Sequence, residues 1–122
     1  MKNRQLANHL RTHRKKSGLS QRQVGELLGY QKDMQISRHE TSKAVPLLVS
    51  AFGYHIIFQV PMHSLFPGIY QDVRESVERR LRELEISLHG QTVKGPEAEA
   101  IARTLMWMMD RRERDIDMPD GS

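Results

Sequence analysis

Gln35 and Arg38 stand three residues apart, and both side chains can hold a base edge by two hydrogen bonds at once. Glutamine suits the N6 and N7 of adenine; arginine suits the O6 and N7 of guanine, each in the major groove of DNA. A separation of three also places two side chains on one face of a helix. Met34 and Asp33 precede them and complete the candidate set of base contacts. Asp33 repels phosphate, so it serves better as a helix N-cap or as an acceptor for a cytosine amino group. Cationic and polar side chains suited to phosphate surround this set: Gln21, Arg22, Lys32 and Lys43, with Lys2, Arg4, Arg11, Lys15 and Lys16 behind them. Contacts of that kind set affinity and salt dependence and leave sequence choice to the base contacts.

These residues need two helices held at an angle, and Leu19 to Glu40 reads as such a unit. Ser20 is a good N-cap, with Gln21 and Gln23 in the first turn behind it. Val24, Leu27 and Leu28 form an apolar stripe at helical spacing. Gly25 is small where a second helix crosses, and Gly29 stops the first helix. A second helix, at 33–41, is anchored by Ile36 and presents Gln35, Ser37 and Arg38 on its polar side. Before this pair, Gln5 to Lys16 reads as a helix with Leu6, Leu10 and His13 inward and Gly18 as its stop. After it, Pro46 suits the first turn of a helix from Leu47 to Phe58. That segment is apolar almost all round, which predicts a helix buried on every side, the hub of the domain. A strand over Tyr54 to Val60 is the weaker alternative, for lack of a partner strand. Val60-Pro61 breaks the helix, Met62 to Phe66 makes one more turn, and Pro67-Gly68 reads as a hard stop.

Composition narrows the classes. With 122 residues and no cysteine, the chain has room for one modest core plus an appendage, and for neither a disulfide nor a thiolate metal site. No apolar run approaches the ~20 residues of a membrane span. The basic, polar start does not read as a secretory signal, so a cytoplasmic protein is the expectation. The net charge of +4 is segregated: residues 1 to 45 hold ten Lys or Arg against Glu26, Asp33 and Glu40. A basic module points to a polyanionic partner. His9 and His13 are four apart but lack both an intervening general-base Glu and a third ligand, so no metal is expected. His55 reads as a satisfied core histidine. No nucleophile–base order, phosphate loop or carboxylate pair is visible, so neither catalysis nor a cofactor is expected.

From Leu6 to Phe66 the chain resembles the Cro/repressor-type, xenobiotic-response-element (XRE) family of helix-turn-helix regulators. The landmarks are Arg14, Gly18-Leu19-Ser20-Gln21, Val24, Leu27-Leu28-Gly29, Ile36-Ser37-Arg38, Glu40, Pro46, Val60-Pro61 and Leu65-Phe66. The resemblance implies an all-α, lambda-repressor-like five-helix DNA-binding domain that acts on palindromic operators as a dimer. It places Gln21 at a phosphate-contacting position, and Asp33, Met34, Gln35 and Arg38 where family members touch bases or flanking phosphates. It also makes Arg14 and Glu40 a structural pair tying the first helix to the third. The turn from Gly29 to Ile36 is one residue longer than the usual pattern. Ser42 stands where the family commonly has Gly, so it must adopt a left-handed conformation or let the helix run on. Gly25 replaces a usual Ala.

Two more helices follow. Ile69 to Leu88 carries a stripe of Ile69, Val73, Val77, Leu81, Leu84 and Leu88, with Glu75/Arg79 and Glu78/Arg82 as four-residue pairs. His89 to Gly95 is a loop. Pro96 opens a helix to about Arg112, striped by Ala98, Ile101, Ala102, Leu105, Met108 and Met109, with Trp107 off the stripe. These stripes are too apolar to stay exposed, and they can pack as a hairpin, on the domain or on a second copy. The expected organisation is 1–67 for DNA, 68–114 for dimerisation or partner binding, and 115–122 as a flexible tail. The expected function is sequence-specific transcriptional regulation as a homodimer. The alternative is the antitoxin of a toxin–antitoxin module, its C-terminal helices binding a protein toxin.

Overall fold

A computed structural model describes residues 8–115 as seven helices: α1 (Leu10–Ser17), α2 (Gln21–Leu28), α3 (Met34–Glu40), α4 (Leu48–Phe58), α5 (Met62–Leu65), α6 (Pro67–His89) and α7 (Pro96–Asp115). Among the described residues there is no strand. The all-α expectation is met, and Tyr54 to Phe58 is helical. Lys2, Arg4, Leu6 and the tail expected at 115–122 lie outside the described residues, apart from the Asp115 backbone that closes α7. The chain forms two compact units, one up to Asp72 and one from Val73.

The first unit is built around Leu10, Val24, Ile36, Ala51, Tyr54, Leu65 and Phe66, all buried. Each short helix sends one or two side chains inward, so no helix is stable without the others. Local chemistry sets their ends. Ser20 and Gln23 form a reciprocal capping box at the start of α2. Gly29, at φ 86°, closes α2, and the Tyr30 N–H reaches the Gly25 carbonyl at 2.8 Å.

Several expectations need correction. α1 starts at Leu10, because the Asn8 side chain accepts from the Leu10 N–H at 3.0 Å and holds the preceding backbone out of the helix. Leu27 is 61% exposed, and Val24 with half-buried Leu28 forms the inner stripe of α2. Pro46 lies two residues ahead of α4, just before its N-cap Leu47. Pro67 is the first residue of α6 rather than a stop, since its fixed φ suits a first turn. His55 is exposed and bonds the Val60 carbonyl through Nδ1 at 2.7 Å, fastening the end of α4.

The largest correction concerns α4. Its inner arc, Ser50, Ala51 and Tyr54, is buried, while Leu48, Val49, Phe52 and Ile56 are 64%, 82%, 49% and 71% exposed. The helix is apolar on two faces but is covered on one. Gly53 marks the crossing with α2: a Cβ there would stand 2.2 Å from the Leu28 Cδ2.

Ser42 takes the left-handed option, at φ 61°. The Lys43 N–H then reaches the Arg38 carbonyl at 2.9 Å and ends α3 with the geometry a glycine usually supplies. A left-handed non-glycine residue costs about 1–2 kcal/mol, so Ser42→Gly is expected to raise stability by about 1 kcal/mol in urea denaturation. A fall would mean that the Ser42 hydroxyl contributes more than its backbone costs.

In the second unit, α6 and α7 are linked by ion pairs. Arg111 binds Glu78 through both guanidinium Nη atoms, and Arg112 Nη2 lies 2.7 Å from Glu85 Oε2. The hairpin is therefore the arrangement adopted. Glu78 bonds Arg111, a longer-range partner than the expected Arg82, and that bond holds its carboxyl below the usual range. Met108 is buried between the helices, while Val77, Leu84, Ile86, Met106, Trp107 and Met109 remain exposed.

Candidate nucleic-acid interface

α3 divides cleanly. Ile36 and His39 are buried at 0% and 3% exposure, whereas Met34, Gln35 and Arg38 are exposed. Spacing of 3.6 residues per turn does this, since positions 36 and 39 share the inner face while 34, 35 and 38 fall outside it. Asp33 sits at the N-cap position in helical geometry, but its side chain makes no capping bond. Its exposed carboxylate is left on the outer side. Lys32 and Lys43, at either end of α3, are exposed, as is Arg22 in the first turn of α2. Arg22 stands 3.6 Å from Glu26, an open surface pair that does not hold it away from another anion.

The orientation of α3 rests on the tether at its C-terminal end. Arg14 Nε and Nη2 donate to the two Glu40 oxygens at 2.5 and 3.2 Å, and Arg14 Nη1 donates to the Leu19 carbonyl at 3.1 Å. Gln21 Nε2 adds a third bond to Glu40 at 3.1 Å. One carboxylate thus joins α1, α2 and α3. The Glu40 side chain is 2% exposed and the Arg14 side chain 13%. Gln21, expected at phosphate, has part of its amide committed to this tether.

A second support was not visible in the sequence. His39 Nδ1 lies 2.7 Å from the Tyr54 hydroxyl, and the Tyr30 hydroxyl lies 2.5 Å from the Ser50 hydroxyl. Burial, with Glu40 and then Tyr30, raises the Tyr54 pKa far above the ordinary phenol value. The phenol stays protonated and shares one hydrogen bond with the His39 imidazole, in which either the hydroxyl or Nδ1–H can donate. Asn8 Nδ2 also donates to the His39 carbonyl at 2.9 Å. The only sequence signal for Asn8 was an Asn two residues ahead of a helix, masked by starting that helix at Gln5.

Burial, then Arg38, lowers the His39 pKa below its usual 6.5. The unfolded chain takes up a proton near that pH which the folded His39 refuses. This contribution is therefore complete above pH 6.5 and is lost as the pH falls through the folded-state value. Unfolding free energy measured from pH 8 to pH 5 is expected to decline across that window, and His39→Gln is expected to flatten part of the slope. An unchanged slope in His39→Gln would assign the decline elsewhere.

Residues 5–50 match the family model described as a helix-turn-helix domain. The match supports a helix-turn-helix DNA-binding regulator. It covers α1, α2, α3 and the first turn of α4, the segment that carries the outward face of α3 and the Arg14–Glu40 tether. Helix-turn-helix domains are typically non-enzymatic. Among the described residues no group of His, Asp and Glu is arranged to hold a metal ion, and no helix is long and apolar enough to cross a membrane. No curated protein and no solved structure matches the chain.

Proposed function

We propose that the chain is a cytoplasmic, Cro/repressor-type (XRE family) transcriptional regulator that binds a palindromic operator as a homodimer. The observation that carries this reading is the division of α3: its inner face is buried and tethered, its outer face offers Met34, Gln35 and Arg38 to the solvent. Arg38 and Gln35 read guanine and adenine edges, and Met34 packs against a thymine methyl. Asp33, at the same end of the helix, accepts from a cytosine amino group. Arg22, Lys32, Lys43 and the remaining amide capacity of Gln21 hold phosphates, helped by the positive end of α2. Occupying a promoter in this way blocks or recruits polymerase, with no cofactor required.

The exposed apolar residues of α6 and α7 support dimerisation through the second unit, where two hairpins make a four-helix bundle. Full-length chain should bind a selected palindromic duplex at least about 1,000-fold more tightly than bulk DNA at physiological salt. Equal competition by bulk DNA would remove sequence-specific regulation. The second reading is an antitoxin, favoured by the adaptable surface of Met106, Trp107 and Met109. A homodimer in which those three side chains are protected from labelling counts against it.

A further inference from the structure

The chain has no cysteine and seven methionines, so all of its sulfur chemistry falls on thioethers. The fold sorts them by access. Met108 is buried at 5% exposure, and Met62 is half-buried against the core of the first unit. Met34, Met106 and Met109 are 64%, 65% and 60% exposed. Met106 and Met109 belong to the second unit. Among the described residues of the first unit, Met34 is therefore the one thioether open to solvent. It stands at the first position of α3, beside Gln35 and one turn ahead of Arg38. It takes no part in the core around Ile36.

We propose that Met34 is a site of reversible oxidation that turns operator binding off. The proposal rests on the reading of α3 as the base-reading helix and adds a control to it. Hydrogen peroxide transfers one oxygen atom to the thioether: the O–O bond breaks, the S=O bond forms, and the second oxygen leaves as water with both hydrogens. The sulfur is oxidised by two electrons and the peroxide is reduced by two. The product is a polar, chiral sulfoxide in place of an apolar side chain, and methionine sulfoxide reductases reverse the change. A thymine edge presents a methyl group and the O4 acceptor, neither of which donates a hydrogen bond to the new oxygen. Contact with that edge then buries a polar atom without a partner. Because Met34 lies on the outer side of α3, its oxidation leaves the buried side and the Arg14–Glu40 tether as they were. The loss falls on reading and not on folding.

The test treats the full-length chain with hydrogen peroxide until peptide mass spectrometry shows one added oxygen at Met34. Affinity for a selected palindromic duplex is then measured before and after treatment. It is expected to fall about tenfold or more, the effect of setting an unpartnered polar oxygen against an apolar methyl. Helical content should be unchanged, and methionine sulfoxide reductase should restore binding. Met34→Leu keeps an apolar contact and has no sulfur, so it should hold its affinity through the same treatment while Met106 and Met109 are oxidised. The converse variant, Met106→Leu with Met109→Leu, should lose affinity as the unaltered chain does. Unchanged affinity in chain carrying the Met34 sulfoxide overturns the proposal. So does an equal loss in Met34→Leu, or resistance in the converse variant, because either assigns the effect to another methionine. Failure of the untreated chain to prefer any duplex is a separate result: it removes the base-reading role of α3, and this control with it.

Discussion

Replacing Arg14 by Ala is expected to destabilise the chain by about 3–5 kcal/mol, the cost of leaving a buried carboxylate without its cation. Glu40 is 2% exposed and accepts from Arg14 twice and from Gln21 once. Removing the guanidinium leaves it with one neutral donor and almost no water. A domain of this size has only about 5–15 kcal/mol in total, so the variant loses a large part of its margin. Urea denaturation measures this directly. The Arg14→Ala/Glu40→Ala double variant should lose less than the sum of the singles, because an absent carboxylate needs no cation. A loss of less than about 1 kcal/mol for Arg14→Ala would place the pair among surface bridges of little consequence. Since the tether fixes where α3 sits, the same variant should also weaken DNA binding under conditions where it is still folded.

The second large effect is on recognition. Arg38→Ala is expected to weaken binding to the preferred operator by about 1–3 kcal/mol and to relax the preference at one base pair per half-site. The side chain is exposed, so the fold should be little affected. Lys43→Ala is the contrasting case: loss on specific and random DNA alike, with a salt slope reduced by about one. Equal losses on specific and random DNA for Arg38→Ala would make it a phosphate contact.

How much of this was legible in the sequence follows from the range of the forces involved. The Ser20–Gln23 cap and the Gly18 and Gly29 stops depend on a few neighbouring residues, and the sequence signals them plainly. Ile36 inward and Arg38 outward follow from helical period alone. The Arg14–Glu40 pair spans 26 positions and was reached only through the resemblance. The His39–Tyr54 and Tyr30–Ser50 contacts were not reached at all, since neither spacing nor residue type announces a partner so far along the chain. α4 shows the limit most clearly. Apolar residues all round a helix say that every face avoids water, but not whether the same chain covers it. Pro67 misleads for a related reason: a proline ends one helix and begins another with equal ease, and only the packing of Ile69 on the core shows which.

The central claim is that the outer face of α3 reads DNA sequence as a paired unit. Selection of duplexes from a random-sequence pool by the full-length chain tests it most directly. The expected result is a two-fold symmetric site whose half-site centres lie about 10 base pairs apart, the spacing of two reading helices on one side of the duplex. A pool that stays random after repeated selection, or that shifts only in base composition, would contradict it.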